Sequence, residues 1–265
     1  MITGWQCPIC SSTTPLDHYK SSTCGASIHP DYAAAVLADR GKQQQRSGVR
    51  VSSLTSCPRK SAILSAEDVA VDPLSMLSAL KGTAWHAMME RAAEKDAEVR
   101  VAGVIAGVPI TGSIDRVRTV NGILTLEDWK TGKDSRAVFI RGGKAWGKEI
   151  KGEGAPKEYI VQLSIYAELY EQTFGVRPAA ASIWWAFSAE MWAEPVALMS
   201  VAECLAFQPY NCGYTVEQLL QQLASGVPWQ QLPLVGESIK FGAKSACDYC
   251  EVQSICWTEA KSAPF

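Results

Sequence analysis

No run of eighteen or more apolar residues occurs in this 265-residue chain, so no segment reads as a membrane-spanning helix. No apolar signal core follows Met1, and the chain is expected in a reducing, cytoplasmic setting rather than outside the cell. A strong charge of either sign is also missing. The formal net charge is −2 and the isoelectric point near 6.0, so global electrostatics do not announce a nucleic-acid binder. Internal repeats are absent, which leaves a globular domain, and the length suffices to bury a core of its own.

What is present begins with two acids and a lysine. Residues 97–132 are rich in Val and Ile, with Asn121-Gly122 between two apolar runs. Asn-Gly suits a tight hairpin turn because both central positions want positive φ. The hairpin carries Asp115 on one strand, and Asp128-Trp129-Lys130 near the end of the next. Side chains at i and i+2 of a strand share a face, so Asp128 and Lys130 project together. Two carboxylates can hold a hard divalent ion such as Mg²⁺ that keeps waters and phosphate oxygens in its remaining positions. An adjacent lysine adds a cation for the charge that builds on a phosphate under attack. Acids and lysines at this spacing also occur as salt-bridged surface pairs, so the triplet gains weight only from its company.

That company lies on two helices. Gly82 and His86 open a helix on which His86 and Glu90 are four apart, and Gln162 and Tyr166 are four apart on another; such pairs share a helical face. In chain order these give G-x-x-x-H-x-x-x-E, G-x-I-D-x-V, D-x-K-T-G and Q-L-x-x-Y. The string resembles the PD-(D/E)XK nuclease superfamily, and within it the RecB-like branch, from about Ser52 to the C-terminus. The resemblance implies a restriction-endonuclease-like core and hydrolysis of DNA phosphodiesters with Mg²⁺ or Mn²⁺. It further implies His86, Asp115, Asp128 and the backbone carbonyl of Trp129 as metal ligands, and Lys130 as the catalytic lysine. Gln162 and Tyr166 would line the site, and Glu90 would act through another group.

Nine cysteines are many for such a chain, and in a reducing compartment clustered cysteines point to metal or redox chemistry. Cys247, Cys250 and Cys256 form C-x2-C-x5-C, and Cys57 lies far upstream before Pro58. A lone cysteine ahead of the nuclease motifs and three behind them resembles the iron–sulfur members of the RecB-like branch, among them the CRISPR-associated exonuclease and the AddB nuclease domain. That likeness implies a 4Fe–4S cluster tying chain end to chain start; a four-cysteine zinc site suits the same ligands. Near the N-terminus, Cys7, Cys10, Cys24 and His29 offer a zinc-knuckle spacing, with His18 as a competing ligand and spare thiols as the other reading. Cys204 and Cys212 fit no pattern and read as small apolar groups.

Between Lys130 and Lys157 stand eight Lys/Arg against three Asp/Glu. Such a Gly-rich, basic stretch reads as a flexible loop in which Arg136, Arg141, Lys144 and Lys148 grip phosphates, or as an ordinary solvated loop. Helices are expected near 31–46, 53–65, 74–96, 157–174, 199–207 and 215–226, and strands near 98–106, 108–118, 123–130, 180–188 and 191–198. The fold class is α/β: a mixed, largely antiparallel central sheet flanked by helices, with a small N-terminal Cys/His appendage over 1–46 and the nuclease domain over 47–265. Two functions follow. One is a metal-dependent DNA nuclease, an exonuclease on single-stranded ends, serving recombination, repair, phage DNA metabolism or CRISPR adaptation with a protein partner from that pathway. The other is a non-catalytic nucleic-acid-binding or assembly protein that keeps the fold; loss of Asp128 or Lys130 would mark it, and neither is lost.

Overall fold

The structure, a computed structural model, describes residues 2–6, 13–14, 48–67, 69–71, 77–93, 96–132, 134–145, 148–188, 190–209, 213–233, 240–241, 244–245, 250 and 252–260. The chain begins with strands β1 (Ile2–Gln6), β2 (Thr13–Thr14) and β3 (Val49–Arg50), followed by helices α1 (Val51–Leu54) and α2 (Pro58–Ala66). A short β4 (Val69–Val71) pairs parallel with β1, so the N-terminal strand joins a sheet with residues of the expected nuclease domain. The single helix expected at 53–65 is two helices. The reason is Cys57-Pro58: a residue before proline is pushed to extended backbone, and Cys57 sits at φ −60°, ψ 119° with Pro58 in the first turn of α2, where its missing N–H costs nothing.

Helix α3 (Leu77–Ala93) leads into β5 (Ala97–Ile105), β6 (Val108–Val120) and β7 (Ile123–Thr131). Asn121 and Gly122 turn between β6 and β7 with φ of 50° and 79°, as an Asn-Gly hairpin requires. Next come α4 (Asp134–Arg141), a small hairpin of β8 (Gly143–Ala145) and β9 (Lys148–Ile150), then α5 (Lys157–Phe174). The basic stretch expected as a flexible loop is therefore largely regular structure, because Ala137 and Ile140 are buried and anchor α4. Gly175 ends α5 in left-handed conformation at φ 77°.

Strands β10 (Ala180–Ala186) and β11 (Met191–Val196) complete the sheet, and α6 (Val201–Ala206) and α7 (Val216–Ala224) pack beside it. Both of these helices open on reciprocal side-chain caps, Ser200 with Glu203 and Thr215 with Gln218. Downstream lie β12 (Lys240–Phe241), β13 (Lys244–Ser245) and α8 (Gln253–Ala260).

The central sheet runs β11-β10-β7-β6-β3, with β5 paired to β6. β7 and β10 are parallel, as are β3 and β6, and the remaining neighbours are antiparallel. The architecture is thus the mixed sheet with flanking helices that the sequence pattern led one to expect. α5 lies against β5, β6 and β7 through Val161, Leu163, Ile165, Tyr166 and Leu169, all buried. Its last turn also blocks the outer side of β5: Gln172 bonds the N–H and carbonyl of Val104, and Thr173 those of Ala102. That occupies backbone groups that would otherwise template pairing with another strand.

Close packing of α5 depends on one motif glycine. A Cβ placed on Gly112 would lie 2.3 Å from Cε1 of Tyr166 and 3.2 Å from Val51. The glycine of G-x-I-D thus packs directly against the tyrosine of Q-L-x-x-Y. Gly112→Ala is expected to destabilise the fold by about 1–3 kcal/mol through overpacking, read as a lower urea midpoint; an unchanged midpoint would show that Tyr166 can move aside freely.

Candidate metal and phosphodiester site

The site forms where β6 and β7 part. Their register pairs end at Arg116 with Glu127, and beyond this point β7 pairs with β10 alone through Asp128, Trp129 and Lys130. The Trp129 peptide, without a β6 backbone partner, is taken up by side chains. Its N–H donates to Asp115 Oδ2 at 2.6 Å, and its carbonyl accepts from His86 Nε2 at 2.8 Å. A carbonyl only accepts, so Nε2 carries the proton in this bond. His86 Nδ1 then faces Asp115 Oδ1 at 3.6 Å. Helix α3 reaches the strand end closely enough for this because Gly82, one turn before His86, leaves its Cβ position 3.3 Å from Thr131 Oγ1.

Asp128 and Lys130 project to one face, as their spacing required. Lys130 Nζ lies 2.7 Å from Asp128 Oδ1 and 2.6 Å from Oδ2, while Asp128 itself is only 3% exposed. Burial acts to lower the Lys130 pKa, but the charges of Asp128 and Asp115 outweigh it and hold the ammonium protonated well above its ordinary range. The ammonium sits 5.0 Å from the ring centre of Tyr159, a residue the motifs did not include. A signal for it existed: Tyr159, Gln162 and Tyr166 fall on one face of α5. Gln162 donates to the Tyr166 hydroxyl at 3.4 Å, and burial pushes Tyr166 up to about 12.

The structure also draws in Glu98, which no motif flagged. Ligand atoms of His86, Glu98 and Asp115 all lie within 4.8 Å of one another. Ser113 donates its hydroxyl to Glu98. Burial, then the Glu98 charge, raise the Glu90 pKa, and the two carboxyls share a hydrogen bond. Asp128 is outside this group of three, its carboxylate being held by Lys130. The Trp129 carbonyl, expected as a ligand, accepts from His86 and keeps a second lone pair. The chemistry of the set nonetheless fits a hard divalent ion: carboxylate oxygens and one imidazole, with more negative than positive charge at the same point.

The remaining expected residues are distributed as follows. Cys57 and Cys250 are half-buried and Cys256 is buried; Cys247 and the group Cys7, Cys10, Cys24, His29 lie outside the described residues, as do the side chains of Arg136 and Lys144. Cys204 packs in the core, where burial pushes its thiol up to about 11. Lys148 is exposed. Arg141 pairs with Glu190 and lies 5.4 Å from the ring centre of Trp192.

Burial, then the charge of Asp128, push the Asp115 carboxyl up to about 8 from the 3.8 it has in an unfolded chain, against the pull of Lys130 and the Trp129 N–H. Between those values the folded protein keeps a proton that the unfolded chain has lost. The contribution to stability is full below about pH 4 and lost as pH rises through about 8. In EDTA, Asp115→Asn should therefore gain in Tm on the wild type between about pH 5 and about pH 9. A difference that stays constant with pH would contradict the buried-acid assignment.

Known proteins bear on this geometry in three ways. The family model of the PD-(D/E)XK nuclease superfamily matches residues 93–257, a span containing Asp115, Asp128, Lys130, Gln162 and Tyr166. Among curated proteins none matches this chain. Among solved structures, the crystal structure of SSO0001 covers 84% of this chain and 95% of its own, at 15% identity and a TM-score of 0.51; this is a likeness of fold. A candidate exonuclease from Eubacterium rectale covers 80% of each chain at 11% identity with a TM-score of 0.32, too distant to argue from. With more than half of its length matched, including the strand that carries Asp128 and Lys130, the chain belongs to the PD-(D/E)XK nuclease superfamily.

Proposed function

We propose that this chain is a divalent-metal-dependent DNA nuclease of the RecB-like branch, an exonuclease acting on single-stranded ends. The observation that carries the reading is the Lys130 ammonium fixed on Asp128 beside Asp115 and His86. His86, Asp115 and Asp128 would hold Mg²⁺ or Mn²⁺. A divalent ion bound there lowers the pKa of a bound water and offsets charge on the attacked phosphate. The rest falls to the chain. Lys130 places a permanently protonated donor at the phosphate. Asp128 holds that ammonium in place, and the ring of Tyr159 limits its movement.

A single-stranded substrate is supported by what adjoins the lysine. A row of rings continues from Tyr159 to Trp185, Phe187 and Trp192, with neighbouring centroids 5.9, 6.2 and 5.2 Å apart. Trp185 is buried, but Phe187 and Trp192 are partly open. Phe187 also lies against Gly132, directly after the D-x-K-T strand. Beyond Trp192, Arg141 and Glu190 line an open cleft of about 290 Å³ with Ala137 and Gly143. Partly open rings next to Arg141 suit unpaired bases, with Arg136, Lys144 and Lys148 proposed as further phosphate contacts.

Asp128→Ala should abolish cleavage of end-labelled single-stranded DNA in Mg²⁺ or Mn²⁺ and leave binding in EDTA largely intact. Lys130→Ala should lower kcat by about 10²–10³-fold with a small change in Kd. Cleavage in EDTA, or an Asp128→Ala protein as active as the wild type, would sink the metal-site reading; no cleavage by the wild type in either metal, with binding retained, would favour a binding protein that kept the fold. A Lys130→Ala protein altered only in Kd would make the lysine a phosphate clamp.

The same proposal extends to Cys57, Cys247, Cys250 and Cys256 as ligands of a 4Fe–4S cluster, with zinc on Cys7, Cys10, Cys24 and His29 of an appendage over 1–46. Support for the first comes from the path of the C-terminal segment. Arg59, two residues after Cys57, donates to the carbonyls of Leu232 and Gln230 at 2.6 and 2.8 Å, and Trp229 Nε1 donates to Glu67 at 3.0 Å. Helix α8, which contains Cys256, packs against α2. Ligands so far apart in sequence can meet only in a folded chain, which couples metal binding to stability. After anaerobic purification, Cys57→Ala should lose the brown colour and iron and melt at a lower temperature, whereas Cys7→Ala should keep both. Full zinc with no iron in the wild type would replace the cluster by a zinc site.

A further inference from the structure

Glu98 occupies a position that needs explaining. The register pairs Ala97 with Arg116 and Val99 with Ile114, so Glu98 stands directly opposite Asp115 across the β5–β6 ladder. Two carboxylates facing each other in this way repel. The backbone at Glu98 is also in the left-handed region, at φ 51°, which a residue with a long side chain rarely adopts. Glu98 is exposed, and an exposed glutamate in ordinary strand geometry is free to turn towards water. This one is instead bonded to Ser113, and its carboxylate gathers with Asp115 and His86. Strain and like-charge repulsion concentrated on one side chain at an active site point to a role that offsets both.

A cation between the two carboxylates would do so. We infer that Glu98 is a protein ligand of the divalent ion, additional to the residues the nuclease motifs supply; this rests on the nuclease reading above. The ligand atoms of His86, Glu98 and Asp115 already lie within 4.8 Å of one another. With metal–oxygen distances of about 2.1 Å, these atoms would close on a bound ion by side-chain rotation. Asp128 contributes too: its Oδ1 accepts from Lys130, while its buried Oδ2 has no hydrogen-bond partner among the described residues. Ser113 holds Glu98 without charge, and Glu90 holds it from the helix side. The exposure of Glu98 leaves the outer side of the ion open to water and to a phosphate oxygen.

The test reads metal binding without substrate. Mn²⁺ titrated into the full chain is followed by the electron paramagnetic resonance signal of the free ion; Mn²⁺ prefers oxygen and imidazole donors and so leaves the cysteines aside. Glu98→Gln keeps the size and the bond to Ser113 but removes the charge. It should weaken Mn²⁺ at least about tenfold, the scale on which losing a supporting group at a metal site is felt, while its Tm in EDTA stays equal to or above the wild type. Ser113→Ala, which only releases Glu98, should weaken Mn²⁺ by a smaller factor. Wild-type Mn²⁺ affinity in Glu98→Gln, with Asp115→Asn strongly weakened, overturns the role of Glu98 and leaves the nuclease site standing. If Asp115→Asn also binds like the wild type, the metal reading of the whole site fails. Should Glu98→Gln not fold, Ser113→Ala decides: unchanged affinity there overturns the inference.

Discussion

The Trp129 peptide, clamped between Asp115 and His86, is the interaction on which the site depends. A peptide group inside a sheet normally bonds to neighbouring strands on both sides, and a buried one left unpaired is costly. Here β6 withdraws after Arg116, and the orphaned N–H and carbonyl are satisfied by one side chain from β6 and one from α3. A strand and a helix that would otherwise be independent are thereby fixed to the same backbone unit. Because side chains flank Trp129 in sequence, Asp128 and Lys130 inherit that fixed position. The clamp converts a divergence of two strands into a rigid cluster of charge.

The charge itself is the second constraint. Asp115 and Asp128 are taken largely out of water, and Glu90 and Glu98 crowd the same point, against the Lys130 ammonium and one imidazole. Buried charge is tolerated only when paired. Lys130 pairs Asp128 on both oxygens, whereas Asp115 responds by holding its proton to about pH 8. Elsewhere in the sheet the protein balances such charges locally: Glu127, next along the strand and on the opposite face, is 2% exposed and held by Arg118 at 2.6 Å. The contrast between the compensated Glu127 and the under-compensated Asp115 separates a structural ion pair from a site suited to a cation from outside.

The framework around this cluster is tied at its far end as well. Arg59 and Glu67 of the α2 region bond to the Trp229–Leu232 segment more than 160 positions later. Closing so long a loop costs conformational entropy that few contacts repay, which is why a cluster of thiolate ligands in this neighbourhood would matter for stability. The partner in that closure is the short helix pair α1 and α2, whose Val51 and Leu54 sit fully buried in the core beneath α5. The segment that leads into this closure is thereby anchored in the hydrophobic core of the sheet.

Much of this was legible in the residues, because each legible feature is local. Asn121-Gly122 specifies its turn through the backbone it tolerates, and the period of two puts Asp128 with Lys130 on one face whatever surrounds them. The four motif segments and the mixed sheet follow from such patterns. What the sequence could not decide arises from contacts between segments. The strand β7 is continuously buried from Thr125 to Trp129, so alternation there reports nothing about burial. The placement of Arg141 on Glu190 and Trp192, and of Tyr159 over Lys130, depends on elements that meet only in the fold. Glu98 is the clearest case: in sequence it is one acid in an exposed strand, and only the β5–β6 register and a positive φ set it opposite Asp115. Local preference is written residue by residue, whereas the convergence of charge on one point depends on which strands pair and where they part.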